Sequence, residues 1–190
     1  MELRVEVTPA APFRLPHTGG MDGVLRHRGG VLERLLHHGE EPVLVRVAQS
    51  APETVLFGAR ARNREEALYG IERMRFALGV DDDLGAFYRE LADDPLIGRS
   101  VRRRPWLRVR RRPEPFEALA WAICEQLIEY ERAALIQRRI VAVLGPRCPY
   151  GSGLRDVPSA GTLAGVAPAR LESFDLVGSR ARLLVRVARE

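Results

Sequence analysis

The sequence predicts an α+β protein in which a small antiparallel sheet precedes an all-helical part. Three observations predict this. The segments "LRVEV", "PVLVRVAQ" and "ETVLFGA" are short, apolar or alternating, and bounded by Pro, Gly and Ser. From Arg64 onward the apolar spacing becomes helical. The chain of 190 residues, 46% of them hydrophobic, is long enough to bury a core in one large or two small units. The expected division is residues 1–93, a sheet with accompanying helices, and residues 94–190, the front part of a helical domain.

Each element has its own justification. "LRVEV" runs into "TPAAP", and "PVLVRVAQ" and "ETVLFGA" face each other across a short "SAP" turn, so they pair antiparallel. "REEALYGIERMRFAL" places Ala67, Leu68, Ile71, Met74, Ala77 and Leu78 on one face, and Gly79 stops it. A short helix from Leu84 to Ala92 ends before Asp94-Pro95. An Arg-rich connector follows, and Pro115 marks the next helix start. "FEALAWAICEQLIEYERAALIQRRIVAVLG" is helical by propensity, with Leu119, Ile123, Leu135, Ile136, Ile140, Val143 and Leu144 as core candidates. Its length predicts one interior break. Beyond the loop "PRCPYGSGLRDV", three short helices are expected, with Ser159, Pro168 and Ser179 at their starts and Gly178 closing the middle one.

No apolar run reaches the roughly 18 residues of a membrane span, and "MELRVEVTPAAPF" lacks a signal-peptide core, so a cytoplasmic monomer without membrane contact is expected. Cys124 and Cys148 have no metal-ligand spacing and read as reduced thiols. All 30 basic residues are Arg, and the net charge is +5. Their placement says more than their identity: Arg99, Arg102, Arg103, Arg104, Arg108, Arg110, Arg111 and Arg112 crowd around Trp106. Such a cluster suits phosphates, which guanidinium forks bind bidentately. The alternative is a solvated connector paired with Asp81-Asp82-Asp83 and Asp93-Asp94.

The order Arg104-Pro105-Trp106-Leu107-Arg108, Phe116, Ile123-Cys124-Glu125-Gln126-Leu127 and Gly145, followed by "PSAGTLAGVAPARLESFDLVGSRARLL", resembles the DNA-3-methyladenine glycosylase type II family of the helix-hairpin-helix glycosylase superfamily. The resemblance covers about the last half of the chain. It implies binding of double-stranded DNA containing damaged bases, hydrolysis of the N-glycosidic bond of alkylated bases, and no cofactor. It also implies that the long helix breaks at Gln126-Leu127, with Leu127 wedged into the duplex where the target base has left and Gln126 beside it, while Arg102, Arg103 and Arg104 hold phosphates. A leucine fills such a gap without hydrogen-bond demands. The competing reading of Leu127 is an ordinary core residue. Glu125 stands where the family commonly has Gly, and Glu129 where it often has Ser; both put negative charge near the DNA.

The family's phosphate-binding hairpin of Leu-Pro-Gly-x-Gly type and the catalytic Asp after it have no counterpart in their proper place. No catalytic residue is therefore expected within this chain, which reads as truncated at its C-terminal side and inactive alone. Gly151-Ser152-Gly153 with Asp175 imitates that pair, but Pro158, Gly161 and Pro168 forbid the long helix required between them. His17, His27, His37 and His38 read as surface residues without metal spacing, and "HTGGMD" and "HRGGV" as Gly-Gly turns. The rivals to a truncated alkyl-base glycosylase are a non-catalytic damaged-DNA-binding module and a relative acting on oxidised guanine.

Overall fold

A computed structural model describes all 190 residues. Five strands, β1 (Glu2–Val7), β2 (Leu25–Arg28), β3 (Val31–His38), β4 (Glu41–Ala51) and β5 (Thr54–Arg60), form one sheet in the order β1-β5-β4-β3-β2. Every neighbouring pair is antiparallel, with Val45 opposite both Arg34 and Ala59. The β2–β3 hairpin, anticipated only as a Gly-Gly turn, closes on Gly29 and Gly30, whose φ values of 57° and 78° match the two left-handed positions of a tight hairpin turn.

Helix α1 (Arg64–Leu78) lies across one sheet face, capped by Asn63 and ended by a left-handed Gly79. Its Ile71 and Met74 pack with Leu32, Leu36, Val45 and Phe57; burying each such side chain stabilises by roughly 1.5–3 kcal/mol. Gly70 lets the helix approach closely, since a Cβ there would fall 2.5 Å from Val43 Cγ1. Two short helices follow, α2 (Gly85–Glu90) and α3 (Gly98–Arg103), so the Arg-rich connector begins as a helix rather than an extended strap.

The helical layer comprises α4 (Pro115–Glu125), α5 (Tyr130–Leu144), α6 (Ala160–Ala164), α7 (Pro168–Glu172) and α8 (Gly178–Arg189). Trp121, Ile123, Ile136, Ile140, Leu163, Leu171 and Leu184 share its core. Val24, from the loop before β2, joins them. The 146–157 loop crosses back onto the outer sheet face, where Cys148 and Leu154 cover Leu35 and Leu44. "CPYGSGL" is closed on itself by a Cys148-to-Leu154 backbone bond, packs on the sheet through its side chains, and leads to no long helix. No helix is long and apolar enough to cross a membrane.

Several expectations need correction. Leu119, Leu135 and Val143 are about half exposed rather than core. The inward face of α4 is set by Trp121, whose indole N–H donates to Asp22, and that phase turns Leu119 outward. On α5, Ala133, Ile136, Gln137, Ile140 and Val141 form the buried arc, which leaves Leu135 outside it and Val143 at its edge. Gly178 opens α8 instead of closing α7, and Ser179 lies inside α8 with Val177 at the N-cap. His38 is exposed as expected, contacting Glu66 at 2.9 Å and stacking on Tyr69, whereas His37 is partly buried against Asp156 at 2.9 Å. Both cysteines are free and buried, and burial pushes the Cys124 thiol up to about 12.

Candidate nucleic-acid interface

The long helical segment breaks after Glu125. Gln126 is exposed and leaves the helix with φ −56° and ψ 124°, and Leu127 takes a left-handed φ of 53°. α5 resumes at Tyr130 after an extended Glu129. For an L-residue other than Gly or Asn the left-handed conformation costs about 1–2 kcal/mol. Leu127 combines that cost with complete exposure, at 102%.

Its neighbours hold the break in place. Ile128 turns inward against the helical core while Leu127 points out. Glu125, one of the two departures from the family pattern, accepts a hydrogen bond from the buried Gln137 amide at 2.9 Å, which ties the two helices together across the loop. The Cys124 carbonyl, freed where α4 ends, accepts from Arg180 of α8 at 3.2 Å. Glu129 does not cap α5 through its side chain.

The arginines divide into bound and unpaired. Arg111 pairs with Asp82 at 2.9 Å, Arg112 with Asp22 at 2.6 Å, and Arg102 with Asp93 at 3.3 Å. Arg103 and Arg104, at the end of α3, are exposed and form no ion pair. The solvated-connector reading thus describes Arg102 and Arg111, and the phosphate reading retains Arg103 and Arg104.

Sequence reasoning missed the strongest electrostatic feature. Arg34 of β3 is buried on the α1 face of the sheet and reaches Glu117 of α4 at 2.8 Å and Asp156 at 3.2 Å. Arg112 reaches Glu117 as well as Asp22, and Asp22 also accepts from Trp121. Burial pushes the Glu117 carboxyl up, against the pull of Arg34 and Arg112. The available signal was an Arg at the register position between Leu32 and Leu36, and a Glu within the apolar run of α4. Beside this network lies a cleft of about 280 Å³ whose walls include Asp22, Arg34, Arg110, Arg112, Met74 and Tyr130. Its acid, Asp22, is already engaged by Arg112 and Trp121, so it is a poor base for activating water. Asp175, the imitation catalytic acid, pairs with Arg132 at 3.3 Å on the surface.

Solved structures supply the comparison for this architecture. The chain superposes on the 3-methyladenine DNA-glycosylase from Archaeoglobus fulgidus with a TM-score of 0.83 at 18% identity, over 99% of this chain and 66% of that one. The fold is that of a DNA glycosylase. MBOgg1 in complex with a low-affinity DNA ligand gives a TM-score of 0.73 at 18% identity, over 98% and 62% of the two chains. Clostridium acetobutylicum 8-oxoguanine glycosylase/lyase, in complex with dsDNA containing cytosine opposite 8-oxoG, gives 0.69 at 20%, over 100% and 64%. The chain spans a little under two thirds of the length of these proteins. No protein-family profile matches the sequence, and no curated protein matches it significantly.

Proposed function

We propose that this chain is the DNA-engaging part of a base-excision repair glycosylase, which binds double-stranded DNA and inserts Leu127 where a damaged base has been displaced. The observation that carries the reading is a fully exposed leucine in a left-handed conformation at the tip of a helix break. Neither water nor the fold favours such a residue, whereas an unstacked base step does. Gln126 stands beside it, and Arg103 and Arg104 supply phosphate contacts, with Arg102 joining on release from Asp93.

The reading extends to alkylated bases through the resemblance of the Ile123–Leu127 segment and its flanks to the 3-methyladenine glycosylases. In it, hydrolysis is carried by a carboxylate other than Asp22, Glu117 and Asp156. The engagement of Asp22, Glu117 and Asp156 by Arg34 and Arg112 supports that assignment.

The test is Leu127→Ala, with binding to abasic-site duplex and intact duplex measured side by side. The expected result is a loss of preference for the abasic site with thermal stability nearly unchanged. A large fall in stability, or an unaltered preference, would overturn the wedge.

A further inference from the structure

A second, smaller cleft of about 140 Å³ lies between the N-terminal loop and the connector. Arg14, His17, Trp106, Arg108 and Arg110 line it, and no carboxylate does. Arg14 and Arg110 are exposed, and neither forms an ion pair; the Arg14 guanidinium sits 5.5 Å from the Trp106 ring centroid. Arg108 donates through Nη1 to the Leu107 carbonyl at 3.1 Å, an acceptor it shares with the Tyr88 hydroxyl at 2.6 Å. Its Nε and Nη2 are shut from solvent with no acceptor, the only side-chain atoms of the protein so placed. The nearby acids are committed elsewhere: Asp81 to Arg75, and Asp82 to Arg111.

Three guanidinium groups around a small cleft repel one another, and buried donors without acceptors are costly to keep. An anion with several acceptor oxygens relieves both problems at once. Phosphate matches the planar fork of arginine bidentately. Trp106 holds Arg14 in position before any ligand arrives, which lowers the ordering cost of binding. At about 140 Å³ the cleft is smaller than the roughly 300–1,000 Å³ of small-molecule pockets, so it suits one tetrahedral group rather than a whole organic ligand.

We propose that this cleft is a phosphoryl-anion site, with Arg14, Arg108 and Arg110 as its ligands. It shares Pro16, Leu78 and Arg110 with the larger cleft that reaches Tyr130, so its anion is either a backbone phosphate of a nucleic acid lying along both clefts or a free phosphate group. The site stands on its own geometry and does not require the glycosylase reading.

The experiment is a calorimetric titration of the full chain with inorganic phosphate at constant ionic strength, repeated with Arg14→Gln, Arg110→Gln and Arg108→Gln. Saturable one-to-one binding is expected, weakened about tenfold in each variant. Arg14 and Arg110 are exposed, so their variants keep the test interpretable should Arg108→Gln fold poorly. Duplex DNA added to the phosphate complex then separates the sources: displacement assigns the site to backbone phosphate, and retained phosphate assigns it to a free anion. No saturable binding, or binding unchanged in Arg14→Gln and Arg110→Gln, overturns the site. Leu127→Ala should leave phosphate binding intact, so failure of the wedge and failure of this site are read separately.

Discussion

The interior network around Arg34 and the surface break at Leu127 invert the usual partition of residues. In the first, a guanidinium and three carboxylates are buried where the sheet meets the helices. In the second, a leucine is held in water by a backbone conformation that leucine disfavours. The first inversion is compensated on the spot, since each charge has a partner within hydrogen-bond distance. The second has no compensation within the molecule. A compensated exception fixes a structure, and an uncompensated one is the observation on which the proposed wedge rests.

Arg34→Met is the most direct way to break this contrast. It takes away the guanidinium that Glu117 and Asp156 share, and removing one member of a buried pair costs about 3–5 kcal/mol. Urea unfolding should show that loss; a change below about 1 kcal/mol would mean that water already compensates the network. Glu33 offers a milder case on the outer sheet face. Burial alone would raise its carboxyl, but hydrogen bonds and charge from Arg26 and Arg46 outweigh that and hold it below the ordinary 4.5. Its contribution, about 1–2 kcal/mol, is therefore present above pH 4.5 and lost as the pH falls through the lower folded value. The stability gap between the parent and Glu33→Gln should close on acidification over that range, and a gap independent of pH would remove Glu33 from the account.

Leu127→Gly sharpens the other side. Relief of the left-handed strain should raise stability by up to about 1 kcal/mol while abolishing the preference for abasic-site duplex. Smallest in stability, within about 0.5 kcal/mol, are Arg103→Gln and Arg104→Gln. Each should lower the slope of log affinity against log salt by about 1 if it meets a phosphate. Arg102→Gln should change the slope less, because Asp93 already neutralises it.

These two regions were unequally legible in the sequence. The length of the α4–α5 segment calls for one interior break, and the family resemblance alone places it at Gln126-Leu127, since propensity there is helical throughout; α1 could be ended because Gly79 is a local signal. The Arg34 network could not be placed, because directly bonded members lie up to 122 residues apart and come together only through tertiary packing. Leu119 was misread for a related reason. Its spacing fits a buried face, but Trp121 and its bond to Asp22 decide which face is buried.

The bond from Arg180 to the Cys124 carbonyl has a consequence for the order of events during synthesis. The end of α4 is held by a helix that begins more than fifty residues later in the chain. Because a nascent chain emerges from its N-terminus, the sheet and α4 are made well before α8 can dock. The break at Leu127 thus gains this tie only after α8 has emerged, and until then the bond between Gln137 and Glu125 is what joins α4 to α5 across it.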